Sequence, residues 1–267
     1  MIMNLQLFGR GRSSGQGRPL GAGDLEKAET GIAIFRSDSG VSSEQMQNAR
    51  QATDLKQLTE YMKSVGVRVE PSMSKIEFDL AKEMVAGMED MIREFPDLRE
   101  MNLRINTDFR DSKAYAGAKL DGTVAIEPSN MKTAKAARRS WERDVKKGFH
   151  PQGTDYRSTT IHEMGHQLEA VLIHREFSGS DRGKAWENNT ISTRLVGRAM
   201  DRVHPDWRTN SRAAAGAIRG ISHYAMVNPS ETLAEAVSDV FSNRDRANPL
   251  SRAIWNEVKD ELRRTRK

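Results

Sequence analysis

One stretch of the sequence holds three residues whose types and spacing could support hydrolysis at a metal ion. His162 and His166 are four positions apart, so on a helix their imidazoles share one face and can bind a single metal ion. Glu163 lies at the edge of that face, where its carboxylate can accept a proton from a metal-activated water without binding the metal itself. The pattern His-Glu-x-x-His therefore predicts a catalytic zinc ion with Glu163 as general base.

The flanks of this pattern favour a helix that is buried on one side. Hydroxyl residues at 158–160 are candidates to cap its amino terminus. Its apolar side is formed at helical spacing by Ile161, Leu168, Val171 and Leu172. The same five-residue pattern also occurs on exposed polar helices that bind no metal, and these apolar flanks argue against that alternative.

A catalytic zinc site also needs a third protein ligand and an open position for water. In one group of zinc peptidases a glycine and a further histidine follow the motif, but Glu169 and Leu172 occupy those positions here. The remaining candidates are acidic residues farther along the chain, Glu187 and Glu231. The third ligand is therefore expected on a separate helix.

Glu231 has a sequence setting that Glu187 lacks. Pro229 and Ser230 can start a helix that places Glu231 in its first turn and Glu235 on the same face. One carboxylate could then bind the metal while the other hydrogen-bonds a histidine ligand. No second acidic residue follows Glu187 one helical turn later. Glu187 nevertheless remains an alternative candidate for the third ligand.

The second stretch carries a resemblance to a known family. Tyr224-Ala225, followed after a spacer by Glu231-Thr232-Leu233-Ala234-Glu235, resembles the zinc site of the anthrax lethal factor-type catalytic domain, a gluzincin-like metallopeptidase family. The resemblance covers about Tyr115 to Phe241 apart from a variable middle, and its informative part is two short motifs. No region resembles the receptor-binding or translocation modules of the toxin, so a toxin is not implied.

This resemblance implies a role for each residue of the two motifs. The implied ligands of one catalytic zinc ion are His162, His166 and Glu231. Glu163 would be the general base, and Tyr224 would face the oxygen at the metal. Glu235 would support a histidine ligand through a hydrogen bond.

The amino-terminal residues carry a second, shorter resemblance. The opening Met3-Asn4-Leu5-Gln6-Leu7-Phe8-Gly9, followed by a basic Gly/Ser-rich linker, resembles the start of many proteins from phage head-assembly gene clusters. It implies a phage or prophage source, a location in the bacterial cytoplasm or on the virion, and a tail that docks onto capsid components.

The composition limits the kinds of site and partner. The chain has 267 residues and no cysteine, which excludes disulfides, thiolate zinc ligands and a cysteine nucleophile. Its formal net charge is +5, with basic residues gathered in the tail, at 132–157 and at the carboxyl end. Such charge usually forms a solvated surface, so nucleic acid is not expected as a partner. No apolar run approaches the ~20 residues of a membrane span, and no signal peptide is expected.

The elements predict an α+β, zincin-like metallopeptidase domain, mainly helical with a small mixed sheet above the active-site helix. A disordered basic tail occupies 1–40, and the domain occupies 41–267, with a helical part at 41–98 and a catalytic part at 99–267. Besides the motif helix, helices are predicted at 43–63, 74–95, 181–203, 231–241 and 249–264, and within 132–156. Strands are predicted at 67–70, 101–106, 115–120 and 123–127, the last two forming a hairpin.

These observations predict a zinc-dependent endopeptidase that acts on a protein or peptide substrate. An edge strand of the predicted sheet could pair with the extended substrate. The alternative is a phage head or assembly protein that keeps a zincin fold without turnover. Glu163 favours the enzyme, because a purely structural metal site has no need of a base beside its ligand.

Overall fold

The computed structural model describes residues 46–111 and 114–266, so the predicted tail at 1–40 lies outside the described residues. Within those ranges the protein is mainly helical with one small mixed sheet, which confirms the predicted α+β class. The helices are α1 (Leu55–Val65), α2 (Phe78–Glu94), α3 (Ala134–Lys146), α4 (Ser158–Glu176), α5 (Ser180–Glu187), α6 (Thr190–Val203), α7 (Ser211–Arg219), α8 (Pro229–Asn243) and α9 (Pro249–Thr265). The strands are β1 (Arg68–Val69), β2 (Arg104–Asn106), β3 (Ala116–Ala118) and β4 (Thr123–Ile126). In the described part of the chain, no helix is long and apolar enough to cross a membrane.

The four strands form a sheet in the order β1-β2-β4-β3. The first three of these pair in parallel, whereas β3 pairs antiparallel with β4. The predicted hairpin between β3 and β4 is confirmed, and Gly122 in its turn has a φ of +91°, which favours glycine. A β-carbon at Gly122 would also lie 2.5 Å from the carbonyl oxygen of Asn102. The turn joins β4 to β3, which is last in the strand order and is therefore an edge strand of the sheet.

Helix α4 lies against the sheet and is buried along most of its length. It packs against α2, α8 and β3. The side-chain nitrogen of Gln167 donates to the main-chain oxygens of Lys119 and Thr123, at 3.0 and 3.4 Å. The polar residues of the motif are buried together with the apolar ones. Because buried polar groups need partners, neighbouring elements must supply contacts to the histidines and glutamates of this helix.

Two predicted helices begin later than expected, each for a local reason. The helix predicted at 43–63 begins at Leu55, because the Asp54 side chain accepts a hydrogen bond from the Gln57 N–H at 2.9 Å and caps the helix there. The helix predicted at 74–95 begins at Phe78, because Pro71–Lys75 forms a separate 3₁₀ turn. The hydroxyl cap predicted for α4 is also wrong, since Arg157 occupies the cap position.

The helix predicted at 181–203 is two helices, α5 and α6. Asn189 lies between them with a φ of +51°, a left-handed conformation that asparagine tolerates better than most residues. The helices predicted at 231–241 and 249–264, and within 132–156, are confirmed as α8, α9 and α3. Sequence spacing thus located these helices, but it missed the break at Asn189 and did not predict α7.

Buried carboxylates on α9 hold that helix against α6. Glu257 and Glu261 are almost fully buried and pair with Arg194, Arg198 and Arg202 at 2.6 to 2.8 Å. Burial opposes ionisation of Glu261, but the hydrogen bonds and charges of neighbouring arginines outweigh it and lower its pKa to about 2. The row of arginines on α6 is therefore neutralised by the helix that it packs against.

Candidate metal centre

Helices α4 and α8 bring the three predicted ligands together. His162 and His166 lie on α4 and Glu231 on α8, and one ligand atom from each lies within 4.8 Å of the other two. Nε2 of His162 is 3.0 Å from Oε2 of Glu231, and Nε2 of His166 is 3.4 Å from the same oxygen. Donors bound to one tetrahedral zinc ion at about 2.0–2.1 Å lie roughly 3.3 Å apart. The two measured distances fit that geometry.

The start of α8 fixes the position of Glu231. The Asn228 side chain accepts a hydrogen bond from the Glu231 N–H at 2.9 Å, and Pro229 is the first residue of the helix. Glu231 therefore lies in the first turn, as its sequence setting predicted. Glu187 is exposed at the end of α5 and lies outside the histidine cluster. The geometry thus joins Glu231, rather than Glu187, to the two histidines.

Gly165 allows α4 and α8 to approach closely at the cluster. A β-carbon at this position would lie 2.9 Å from the Cα of Ala234 on α8, a distance that only a backbone shift could relieve. Ala234 lies between Glu231 and Glu235 along α8. Gly165 therefore has a steric role. Without a side chain at this position, α8 packs closely enough to bring Glu231 and Glu235 within reach of α4.

We expect Gly165→Ala to lower the free energy of unfolding by about 1–3 kcal/mol, the usual cost of an overpacked core. The same shift of α8 should weaken zinc binding. Chemical denaturation and a zinc titration measure the two effects. Gly183→Ala on α5 is the matched control, because a β-carbon there meets no atom within 4 Å. Equal stability and equal zinc affinity in the two variants would contradict this role for Gly165.

Behind His162, a chain of contacts leads away from the cluster. Nδ1 of His162 is 2.9 Å from Oε1 of Glu235, and the same oxygen is 3.2 Å from Nδ1 of His150. The His150 ring stacks on Trp141 with an interplanar angle of 2° and a centroid distance of 3.9 Å. Glu235 therefore occupies the supporting position expected for it. The contact of His150 with Glu235 was not predicted from the sequence.

His166 has a separate support that the sequence analysis also missed. Its Nδ1 is 3.0 Å from the hydroxyl oxygen of Ser230, and that hydroxyl donates to Oε2 of Glu169 at 2.6 Å. Glu169 also accepts a hydrogen bond from the Ser192 N–H at 2.9 Å. Both histidines thus have Nε2 directed at Glu231 and Nδ1 facing a supporting group, a carboxylate oxygen for His162 and a hydrogen-bonded hydroxyl for His166. The sequence feature that could have indicated this contact is the position of Ser230 beside Glu231.

Burial and neighbouring charges shift the pKa of each group in the cluster. Burial lowers the pKa of His162, but hydrogen bonds and charges from Glu231 and Glu235 outweigh it and raise the pKa well above its ordinary value. Burial opposes ionisation of Glu231, yet the two imidazoles hold its pKa far below the usual range. The cluster therefore favours a positive charge beside Glu231, which a bound divalent cation would supply.

A cleft of about 310 Å³ opens beside the cluster, and Glu163 and Tyr224 both line it. Burial raises the pKa of Glu163 above its ordinary value. Burial, together with the nearby carboxylate charges, raises the pKa of Tyr224 far above its usual range. His223, the neighbour of Tyr224 in the sequence, is exposed and is absent from the cleft lining. The cleft thus combines a buried carboxyl group with a protonated phenol.

The donor set suits zinc chemically. Two imidazole nitrogens and one carboxylate oxygen are typical ligands of a catalytic zinc ion, and three protein ligands leave one position open. The ligands come from two packed helices, with a hydrogen-bonded serine behind His166 and a carboxylate 2.9 Å behind His162. No protein-family model, curated protein or solved structure matches this chain.

Proposed function

We propose that the protein is a zinc-dependent endopeptidase. One observation carries the proposal, namely that Nε2 of His162 and Nε2 of His166 converge on a single oxygen of Glu231. With no cation between them, both imidazoles would have to carry a second proton to donate to that oxygen, because each Nδ1 already faces an acceptor, Glu235 or Ser230. A divalent cation allows both rings to be neutral while satisfying all three groups.

Glu163 would act as the general base. A zinc ion, when bound, supplies a Lewis acid that polarises the scissile carbonyl and lowers the pKa of a water. Glu163 follows His162 directly on α4, lines the cleft and stands outside the ligand group. Its raised pKa makes the carboxylate a better proton acceptor, able to take a proton from water and pass it to the leaving amine.

Tyr224 would stabilise the negative charge that develops on the carbonyl oxygen of the substrate. Its ring centroid is 5.8 Å from that of His162, and its hydroxyl stays protonated because its pKa is raised. A hydrogen-bond donor aimed at such an oxyanion contributes roughly 3 kcal/mol in other enzymes. Its backbone N–H donates to the Phe149 oxygen at 3.2 Å, which ties the tyrosine to the cleft wall.

The edge strand β3 supports a peptide as the substrate. Ala114, Tyr115 and Ala116, at the start of β3, line the same cleft as Glu163. An extended peptide could add to this edge through main-chain hydrogen bonds, which recognise any sequence in an extended conformation. This arrangement, with an edge strand beside the motif helix, also supports a zincin-like fold of the gluzincin-like, lethal factor type. The source would be a phage or prophage, and the amino-terminal tail would dock onto capsid components in the bacterial cytoplasm or the virion.

The test combines metal analysis with cleavage of peptides. We expect about one zinc per purified chain and cleavage of a proteome-derived peptide library, detected by mass spectrometry. Treatment with 1,10-phenanthroline should abolish cleavage, and added zinc should restore it. Absence of zinc, with none taken up on addition, would refute the proposal and leave the alternative of an assembly protein without turnover.

A further inference from the structure

Helix α3 carries a row of positive charge on its exposed surface. Lys135, Arg139, Arg143 and Lys147, the last being the residue that caps the helix, follow one another at intervals of four. Residues four apart are neighbours on a helix surface, so these side chains form one continuous ridge. All four are exposed. We refer to these four residues as the basic ridge.

The basic ridge borders the cleft. Ser140 and Asp144, each one position beyond a ridge residue, line the cleft, and Arg143 lines it directly. Trp141 on the same helix forms part of the cleft wall and stacks on His150. A peptide that fills the cleft would therefore lie within reach of the ridge.

The charges of the ridge are almost uncompensated. Among the described residues, no carboxylate lies within ion-pair distance of Lys135, Arg139 or Lys147. Arg143 is 3.4 Å from Asp144, but that carboxylate also accepts a hydrogen bond from the Tyr115 hydroxyl. Like charges four residues apart destabilise a helix. The row thus has a cost for folding that ion pairs within the protein offset at Arg143 alone.

Helix α6 carries a comparable row of arginines, and the charges of that row are paired within the protein. Arg194, Arg198 and Arg202 have the same spacing of four, and each pairs with Glu257 or Glu261 on α9. The two rows have similar charge and spacing, but in the row beside the cleft three of the four residues, Lys135, Arg139 and Lys147, have no carboxylate partner among the described residues. Charge complementarity therefore points to an acidic partner that is a separate molecule.

We propose that the basic ridge binds an acidic segment of the peptide whose scissile bond lies in the cleft. This inference rests on the proposed endopeptidase function and adds a substrate class to it. The ridge spans twelve residue steps, or about 18 Å at 1.5 Å per residue. An extended peptide rises about 3.3 Å per residue, so about five acidic residues on one side of the scissile bond match its length.

The test measures peptide binding separately from cleavage. Fluorescence anisotropy at low ionic strength follows a labelled peptide with a run of about five glutamates and its twin with glutamines. The protein is the full chain carrying Glu163→Gln, so that the peptide is not consumed. We expect tighter binding of the acidic peptide, and Lys135→Gln/Arg139→Gln/Lys147→Gln should weaken it roughly tenfold. None of these three residues lines the cleft.

The matched control is Lys63→Gln/Arg99→Gln/Arg212→Gln, which removes three exposed charges that lie outside α3 and outside the cleft lining. It should change the affinity by less than about twofold, since distant exposed charges are screened. The proposed role of the basic ridge would be contradicted if both triple variants weakened binding equally, or if the two peptides bound with equal affinity. The assignment of an acidic peptide would also be contradicted if the protein bound double-stranded DNA more tightly than the acidic peptide and lost that binding in Lys135→Gln/Arg139→Gln/Lys147→Gln. Acidic-peptide binding in a wild-type chain that contains no zinc and cleaves nothing would instead count against the endopeptidase alone.

Discussion

Glu163→Gln is expected to abolish peptide hydrolysis while zinc stays bound. Glutamine keeps the shape of the side chain but cannot accept a proton, so the step that generates the nucleophile loses its base. The expected loss is about 10²–10⁴-fold in the rate of cleavage, the usual contribution of a general base. Zinc should be retained because Glu163 lies outside the group formed by His162, His166 and Glu231. Mass-spectrometric rates on a peptide library and elemental analysis measure the two properties.

Glu60→Gln provides the control for this substitution. It makes the same chemical change at an exposed site on α1, away from the cleft, and should leave cleavage and zinc content unchanged. Cleavage at the wild-type rate by a Glu163→Gln protein that still contains zinc would contradict the assigned base. Loss of zinc along with activity would show instead that Glu163 supports the metal.

The site residues that could be predicted from sequence are those whose relation depends on a short separation along the chain. His162 and His166 share a face of α4 because they are four positions apart, and Pro229 marks the start of α8. Pairing Glu231 with these histidines required a resemblance as well as spacing, because the residues are far apart in the chain. The structure adds the steric reason for the pairing, which is the absence of a side chain at Gly165.

The supporting contacts could not be predicted in the same way. His150 and Glu235 are 85 positions apart, and Ser230 and Glu169 are 61 positions apart. No local periodicity connects such pairs, because their contact depends on how the loop before α4 and the helices after it pack. His150 stacks on Trp141, and that tertiary contact fixes the ring that faces Glu235. Sequence reasoning therefore found the ligands and missed the groups that orient them.

The relation between α4 and α8 explains why metal binding and folding should be coupled in this protein. The two helices approach closely at Gly165 and Ala234, and their buried contact includes ionisable groups of both signs. A cation that binds Glu231 and both histidines takes the place of the protons on the imidazoles, and its binding free energy adds to the free energy of folding. Zinc should thus contribute to the stability of the helix pair as well as to chemistry.

Glu231→Ala is expected to remove zinc from the protein. The substitution deletes the carboxylate oxygen that faces Nε2 of His162 and of His166, so the site keeps two protein ligands instead of three. Loss of a group that only orients a ligand weakens metal binding about 10–100-fold, and loss of a ligand should exceed that range. Elemental analysis of purified protein and a competitive zinc titration measure the change.

Glu187→Ala separates the two acidic candidates for the third ligand. Glu187 is exposed at the end of α5, and its carboxylate is absent from the cluster around the histidines, so its removal should leave zinc content unchanged. Zinc lost in Glu187→Ala and retained in Glu231→Ala would show that α5 moves toward the histidines when metal binds. Zinc retained in both variants would show that two histidines bind it without a carboxylate. The expected result, loss in Glu231→Ala alone, would make the close packing of α8 on α4 the feature that completes the metal centre.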